Sequence, residues 1–269
     1  MATCLSTLTS LEKLQLEFES PQSCPDQESR HPLPLTRSAL PALTSFLFKG
    51  VYKYSENLLA LIDAPRLRLS STRFFNDIDF NTPELIRFVS RSSTFKALNQ
   101  AQLIFDSQTA SVELQKQASN VKSFKVEISC RVSNWQLSSL AQICTMSLPL
   151  LSTTENLFIY EAVHSQPDWK DGIENIEWLD LLLPFMAVKD LYLSEQFAPR
   201  IAPALQELTG GRTTEVLPIL QKLFLEGFQP SEPVHEGIKQ FISARQLTNR
   251  PVAISVWERL RAGDVIGGP

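Results

Sequence analysis

Apolar residues recur along the chain in one spaced pattern, apolar-x-x-apolar-x-x-apolar-x-apolar, with offsets 0, 3, 6 and 8. The pattern occurs eight times, and its copies start about thirty residues apart, near the period of leucine-rich repeats. Its last two positions alternate as one face of a strand does, so each copy predicts a short β-strand with one buried face. The copies, in which Thr154 is the one polar residue, are Leu8/Leu11/Leu14/Leu16, Leu40/Leu43/Phe46/Phe48, Leu61/Ala64/Leu67/Leu69, Phe95/Leu98/Ala101/Leu103, Ala118/Val121/Phe124/Val126, Leu151/Thr154/Leu157/Ile159, Phe185/Val188/Leu191/Leu193 and Leu217/Leu220/Leu223/Leu225.

Segments with helical spacing lie between most of these predicted strands. The clearest begins at Thr82-Pro83, because threonine can cap a helix and proline suits the first helical position. Leu85, Ile86, Phe88 and Val89 then supply a buried stripe over about two turns. The other predicted helical segments are 56–62, 135–144, 176–183, 195–208 and 233–245.

Alternation of strands and helices with a thirty-residue period, read from the pattern above, predicts an α/β fold. We expect an irregular leucine-rich-repeat solenoid of the ribonuclease-inhibitor-like type, with parallel strands on the concave face and helices outside. The alternative is an ordinary doubly wound α/β domain, which alternation alone does not exclude. Eight copies of one pattern favour the solenoid.

The domain prediction is a single repeat domain over residues 1–257 with several irregularities. Residues 20–38 have no periodic apolar positions and many Pro and Ser, so they predict an inserted loop. The segment before the unit that begins at Ala118 is too short to form a full helix. We therefore predict a short extra strand at 108–114. Residues 258–269 predict a flexible tail.

Charge and cysteine content narrow the class of protein. The chain has 25 basic and 29 acidic residues, a net charge of −4, without the basic excess that nucleic-acid binding requires. Its four cysteines stand far apart, which predicts reduced thiols and an intracellular location. No signal peptide and no long apolar run is present, so we expect no membrane partner.

Motifs for chemistry are sparse. The sequence contains no phosphate-binding glycine loop, and its three histidines lie in different units without neighbouring cysteines, so we predict no cofactor and no metal site. An acidic run around Asp168, Asp171 and Glu174 leaves open a hydrolase or transferase with an acidic pocket, which would need two carboxyl groups with separated pKa values. Solvation and helix dipoles explain such acids equally well.

The residue at offset 7 points away from the buried side of each predicted strand. These residues are Gln15, Leu47, Arg68, Gln102, Lys125, Phe158, Tyr192 and Phe224. The last three are aromatic and fall on consecutive strands, and Tyr160 extends them. An exposed aromatic ladder is typical of binding hot spots, so we predict a partner-binding site at Phe158, Tyr160, Tyr192 and Phe224, with Arg68 and Lys125 in a basic region beside it. The alternative is that the segment from Val252 to Trp257 folds over these rings, or that they only stack across strands.

Four segments of the chain resemble the F-box and leucine-rich-repeat proteins expanded in mushroom-forming fungi. They are LPALTSFLFKGVYKYSENLLALIDAPRL, FFNDIDFNTPELIRFVSR, NWQLSSLAQIC and PFMAVKDLYLSEQFAPRIAPALQELTGGRTTEVLPILQKLFLEG. Together they cover well over half of the sequence, and the resemblance extends from about Leu8 to Trp257.

This resemblance implies a noncatalytic protein-interaction module. In the family, an N-terminal F-box docks on the adaptor of a cullin-type ubiquitin ligase, and the repeats present substrates. The family's Leu-Pro-x-Glu box does not occur before the first repeat of this chain, so the resemblance covers the repeat region only. We therefore expect a substrate-recognition module, either of such a ligase or of a scaffold that acts without the ligase connection; the alternative is a truncated, nonfunctional fragment.

Overall fold

Coordinates come from a computed structural model of the chain. The structure describes residues 7–23, 37–75, 82–116, 122–130, 132–147, 149–162, 174–208, 212, 214–227 and 235–258. Most of the predicted 20–38 loop and nearly all of the predicted 258–269 tail lie outside these residues. No helix in the described ranges is long and apolar enough to cross a membrane.

Ten strands form one large sheet, and two short strands form a second. In chain order the strands are β1 (Lys13–Glu17), β2 (Ser38–Ala39), β3 (Ser45–Gly50), β4 (Ile62–Asp63), β5 (Leu69–Phe75), β6 (Gln100–Phe105), β7 (Thr109–Gln115), β8 (Lys122–Ser129), β9 (Asn156–Glu161), β10 (Asp190–Leu193), β11 (Lys222–Glu226) and β12 (Ala253–Trp257). The large sheet has the order β1-β3-β5-β8-β7-β6-β9-β10-β11-β12, and β2 pairs with β4. Every pairing is parallel except those of β7 with β6 and β8.

Helices connect most of the strands. They are α1 (Tyr52–Leu59), α2 (Pro83–Arg91), α3 (Ser133–Ser147), α4 (Asn175–Leu182), α5 (Ala198–Gln206) and α6 (Glu236–Leu247). Short 3-10 turns in the described ranges include Pro21–Ser23, Phe95–Ala97 and Pro149–Thr153. Each helical segment predicted from the sequence is present within a few residues of its expected bounds.

Repetition is visible in the backbone hydrogen bonds as well as in the apolar pattern. In several units, the carbonyl of the residue at offset 4 accepts hydrogen bonds from two consecutive backbone N–H groups. These two N–H groups lie at the start of the neighbouring strand in the sheet. The carbonyl of Glu12, for example, accepts from Thr44 and Ser45 at 2.9 and 3.1 Å, and that of Lys189 accepts from Gln221 and Lys222 at 2.8 and 3.0 Å. The carbonyls of Thr44, Asn99 and Glu155 do the same. Equivalent residues therefore make equivalent contacts in successive units.

The prediction for the third unit is wrong by three residues. Ser70 and Thr72 of β5 pair with Phe46 and Phe48 of β3 and are fully buried, whereas Leu69 is only partly buried. The four pattern positions of this unit are therefore Ala64, Leu67, Ser70 and Thr72. Two of the four are polar, so a search for apolar residues selected the neighbouring frame instead. The other seven predicted strands coincide with observed strands.

Strand β7 interrupts the parallel sheet. It occupies the segment predicted as a short extra strand and forms an antiparallel meander with β6 and β8. As a result β8, and not β6, lies next to β5, and β6 lies next to β9. Chain order is therefore reversed for these three strands.

All six helices contribute apolar residues to one core with one side of the sheet. Phe46 of β3 packs on Phe88 of α2 with ring centroids 5.6 Å apart, and Phe105 of β6 packs on Trp178 of α4 at 6.3 Å. The strand residues on this side are almost all buried and apolar. The protein is therefore a mixed α/β fold built on a large, mostly parallel sheet, with one sheet surface facing away from this core.

The first unit is less well covered than the others. Leu8 is 43% exposed, and Leu11, Leu14 and Leu16 are only partly buried, whereas the equivalent residues of the next unit are buried.

Candidate functional site

The open face is our term for the surface of the large sheet that points away from the helices. Strand register places the offset-7 residues of the units in a single row across it, together with Glu113 of the antiparallel strand β7 and Ser255 of β12. From β1 to β12 this row reads Gln15, Leu47, Ser71, Lys125, Glu113, Gln102, Phe158, Tyr192, Phe224 and Ser255. Charged and polar residues occupy its centre, and three aromatic residues occupy adjacent strands towards β12.

The aromatic patch comprises Phe158, Tyr160, Tyr192, Phe224 and Trp257. Phe158 stacks on Tyr192 with centroids 4.1 Å apart and planes 9° from parallel, and Tyr192 stacks on Phe224 at 4.3 Å and 7°. Such spacing follows directly from neighbouring strands about 4.8 Å apart, because each ring stands upright on its strand. The four residues predicted for this site are therefore brought together.

Trp257 completes the aromatic patch and was not among the predicted site residues. Its indole makes edge contacts with Phe158, Tyr160 and Tyr192 at 5.7, 6.4 and 5.7 Å. It belongs to β12, which extends the sheet parallel to β11, so the segment from Val252 adds a strand beside the rings. The rings therefore stack across strands, as one predicted alternative has it, but the segment from Val252 to Trp257 continues the sheet and does not fold over them. All five side chains nevertheless keep part of their surface exposed.

The two tyrosines of the aromatic patch have different polar surroundings. The hydroxyl of Tyr160 donates to Oε1 of Gln102 at 2.7 Å, which ties the aromatic patch to the neighbouring strand. Burial, together with the carboxylate of Asp190, raises the pKa of Tyr192 above its usual value. Tyr192 is therefore a neutral hydroxyl at physiological pH, available as a hydrogen-bond donor.

A charged cluster occupies the centre of the open face on β5, β7 and β8. The ammonium of Lys125 lies 3.0 Å from Glu113 and 2.7 Å from Glu127, and Arg73 pairs with the other oxygen of Glu127. Burial acts to lower the pKa of Lys125, but the two carboxylates outweigh it and hold that pKa above its usual value. Lys125 thus lies on the open face, as predicted from the sequence, but its ammonium is paired with Glu113 and Glu127. Both of these carboxylates are buried, although they belong to the open face.

Arg68 does not lie on the row of offset-7 residues, so its predicted position is wrong. It precedes β5, and its backbone N–H donates to the carbonyl of Thr44 at 2.9 Å, as an offset-4 residue does in other units. Ser71 takes the expected place on the row, and Arg73 is the arginine of β5 that reaches the charged cluster. The three-residue frame error in the third unit is the cause.

A groove of about 610 Å³ opens at the carboxyl ends of the strands beside the charged cluster. Its lining includes Lys49, Arg73 and Phe75, with the ammonium of Lys49 5.9 Å from the centre of the Phe75 ring. The carboxyl ends of parallel strands are a common place for ligands in α/β sheets. The groove adds cationic donors and an aromatic surface to one margin of the open face.

Residues considered for catalysis are not assembled by the described chain. Asp168 and Asp171 lie outside the described residues, and Glu174 is an exposed residue before α4. His235 precedes α6, where its Nδ1 accepts from the N–H of Gly237 at 3.3 Å, a helix-capping role. Within the described ranges no three His, Cys, Asp or Glu side chains are grouped so that they could hold a metal ion.

The cysteines that the structure describes are buried thiols. Cys130 and Cys144 are both free, and burial raises the pKa of each thiol. A raised pKa keeps the sulfur protonated and unreactive at neutral pH.

Taken together, the open face offers ring edges, a tyrosine hydroxyl and paired charges, which are groups suited to noncovalent contact with a macromolecular surface. The aromatic patch supplies the apolar part of such a contact, and the charged cluster supplies the polar part. No protein-family model matches the chain, and comparison with curated proteins and with solved structures found no match either.

Proposed function

We propose that this chain is a noncatalytic protein-interaction module that binds a partner protein on the open face, with the aromatic patch as the main contact. The observation that carries the proposal is the stack of Phe158, Tyr192 and Phe224 with Trp257 against it, partly exposed on a sheet surface that no described helix covers. Aromatic side chains dominate the energetics of protein interfaces, and each can contribute roughly 2 kcal/mol or more.

We further propose that the units form an irregular leucine-rich-repeat solenoid with the open face on its concave side. Support comes from the repeated apolar pattern and from the paired hydrogen bonds at offset 4, which recur at Glu12, Thr44, Asn99, Glu155 and Lys189. In a solenoid each unit packs only on its neighbours, so a long surface becomes available to one guest. The β6–β7–β8 meander is an irregularity within this arrangement.

The resemblance to F-box and leucine-rich-repeat proteins supports a more specific form of the proposal. In that form the partner is a substrate of an intracellular cullin-type ubiquitin ligase, and the chain is its recognition part. Co-purification of cullin and adaptor subunits with the tagged chain is the expected result. Their absence, with another partner present, would contradict the ligase assignment and leave binding at the open face intact.

Affinity capture with quantitative mass spectrometry tests the main proposal. We expect the wild-type chain to enrich at least one protein that the Phe224→Ala variant does not capture. Once that protein is purified, its affinity for the Phe224→Ala variant should be about thirtyfold lower than its affinity for the wild type. Tyr192→Ala should have a similar effect. The matched control is Leu47→Ala, which truncates an equally placed residue on β3 at the other end of the same row.

Folding of each variant is checked by circular dichroism and thermal unfolding, since two of the changes remove a stacked ring. Retention of every captured protein by folded Phe224→Ala and Tyr192→Ala variants would show that the aromatic patch is not the binding site. Capture of no protein at all by the wild-type chain would contradict the interaction function itself.

A further inference from the structure

The outer surface formed by α3 and α4 exposes large apolar side chains. Among the nine large hydrophobic residues that are exposed in the described chain, five lie on these helices or directly beside them: Val132, Trp135, Ile176, Leu183 and Met186. Trp135 is 46% exposed and Ile176 is 57% exposed. Clusters of exposed apolar residues on one surface indicate an interaction site, whereas single ones do not.

Helix α3 lacks the charged residues that a solvated helix normally carries. Its 15 residues, SNWQLSSLAQICTMS, include no Asp, Glu, Lys or Arg. This helix also packs more closely on α4 than on α2, so one of its sides forms a groove with α4. The outward side of α3 therefore carries Trp135 among uncharged polar residues such as Ser138 and Thr145, so binding a partner there would desolvate no charge on this helix.

The groove between α3 and α4 has a volume of about 450 Å³ and a defined charge. Its lining residues are Ser138, Ala141, Gln142, Thr145, Glu177, Asp180 and Leu183. Glu177 and Asp180 are the charged members of this lining, and both are acidic. An occupant that complements the groove therefore carries positive charge.

Alignment of the two helices sets the spacing of these groups. The hydroxyl of Ser138 donates to Oε1 of Glu177 at 2.6 Å, which places the amino-terminal turns of α3 and α4 side by side. By helical position, Ile176 precedes the two carboxylates on α4 and Leu183 follows them, and Trp135 lies about one turn before Ser138 on α3. At a rise of about 1.5 Å per residue, the seven positions from Ile176 to Leu183 span about 10 Å, with the two carboxylates between them.

We propose that the α3–α4 groove binds an amphipathic helix of a partner protein in which Lys or Arg lies between two apolar anchors. Apolar residues at positions i and i+7 of that helix match the two ends of the groove, and a basic residue at i+3 or i+4 meets Glu177 and Asp180. This surface lies on the helical side of the fold and is separate from the open face. The proposal therefore stands independently of the function proposed for the aromatic patch.

Synthetic helical peptides test the proposal with the full chain. One alanine-based peptide of about 18 residues carries Leu at i and i+7 with Lys at i+3 and i+4, and its twin carries Glu in place of Lys. We expect isothermal titration calorimetry to show binding of the Lys peptide and binding at least about tenfold weaker for the Glu peptide. Equal binding of the two peptides, or binding of neither, would overturn the charge assignment and the site.

A second experiment reverses the charge of the groove in the protein. The double variant Glu177→Lys with Asp180→Lys should reverse the preference, so that the Glu peptide becomes the tighter ligand. Leu183→Ala should weaken the Lys peptide, while Leu247→Ala, which truncates an 89% exposed leucine on α6, should not. Thermal unfolding confirms that each variant is folded.

Two further outcomes would overturn the proposal. Dimerisation of the wild-type chain in analytical ultracentrifugation, abolished by the double charge reversal, would assign the groove to a second copy and overturn the partner-helix proposal. An unchanged peptide preference in the folded double variant would overturn it as well. Phe224→Ala leaves the groove intact, so peptide binding at the groove and partner binding at the open face are measured separately. A failure of the open-face proposal can therefore be distinguished from a failure of the groove proposal.

Discussion

At the scale of single residues, a few buried polar side chains determine local structure that the apolar pattern does not encode. Arg245 on α6 is fully buried, and its guanidinium donates to the carbonyl of Leu217 at 2.6 Å and to that of Pro218 at 3.4 Å. Leu217 has a φ of 49°, a strained backbone conformation for a leucine, and this contact holds its carbonyl in place. The sequence offers no signal for such a pairing, because the two residues are 28 positions apart.

Replacement of Arg245 by Ala should lower the free energy of unfolding by about 2–4 kcal/mol, because it removes a buried hydrogen bond from a charged donor to the Leu217 carbonyl, which then keeps only the N–H of Leu220 at 3.1 Å, and because it opens a cavity. Urea denaturation measures the loss. Arg250→Ala is the matched control, since Arg250 donates to the same Pro218 carbonyl at 2.9 Å but is exposed, and its loss should be clearly smaller. Equal losses for the two arginines would contradict the role given to Arg245.

Glu56 links stability to pH. Its carboxylate accepts the N–H groups of Glu84 and Leu85 at 2.7 and 2.9 Å, so a residue of α1 caps the start of α2 in place of Thr82. Burial raises the pKa of Glu56 above its ordinary value of 4.5, and these two hydrogen bonds oppose that effect only in part. A pKa that is higher in the folded state means that the folded protein binds more protons than the unfolded chain between the two pKa values, so stability falls as pH rises through this window.

The corresponding measurement compares wild type with Glu56→Gln from pH 4 to pH 7 by urea denaturation. The stability of the wild type relative to the variant should decrease as pH rises above the unfolded pKa of about 4.5, because Gln does not titrate. A relative stability that instead increased with pH would mean that the helix-capping hydrogen bonds outweigh burial.

At the scale of elements, the sequence specifies strand positions well wherever the pattern residues are apolar. Seven strands follow from the alternation of pairs such as Leu191 and Leu193, and the extra strand β7 follows from the shortage of chain before Ala118. The frame of β5 could not be obtained in this way, because Ser70 and Thr72 occupy its core positions. The pairing of β5 with β8 could not be predicted from the sequence either, because the neighbours of a strand in a sheet depend on packing between distant segments.

A pair of buried serines tests the corrected frame of β5. The hydroxyl of Ser70 has no hydrogen-bond partner in the structure, so Ser70→Ala removes an unsatisfied polar group with little change in volume. We expect unchanged or higher stability, by up to about 1 kcal/mol. Ser92→Ala is the matched control, because this equally buried hydroxyl donates to the carbonyl of Leu67 at 2.8 Å, and its loss should cost about 1 kcal/mol. Destabilisation by Ser70→Ala as large as that by Ser92→Ala would contradict the assigned frame.

At the scale of the whole molecule, one surface of a ten-stranded sheet is left for contact while helices cover the other. The sequence predicted Phe158, Tyr192 and Phe224 because equal offsets in successive units fall on one row, and Tyr160 because it lies two residues beyond Phe158 on the same strand. It did not predict Trp257, because β12 carries no copy of the apolar pattern, nor the pairing of Lys125 with Glu113, because β7 runs in the opposite direction. Repetition thus fixes the parts of the surface that repeat, and the irregular strands supply the rest.

Fluorine NMR of the 5-fluorotryptophan-labelled chain, titrated with a partner recovered by affinity capture, tests the central claim most directly. The chain has four tryptophans, of which Trp257 lies in the aromatic patch, Trp135 beside the α3–α4 groove and Trp178 in the core, and single Trp→Phe variants assign each signal. Binding at the open face predicts that the Trp257 signal shifts on addition of partner while those of Trp135 and Trp178 stay in place. A saturable shift at Trp135 with no change at Trp257 would contradict the claim that the aromatic patch holds the partner.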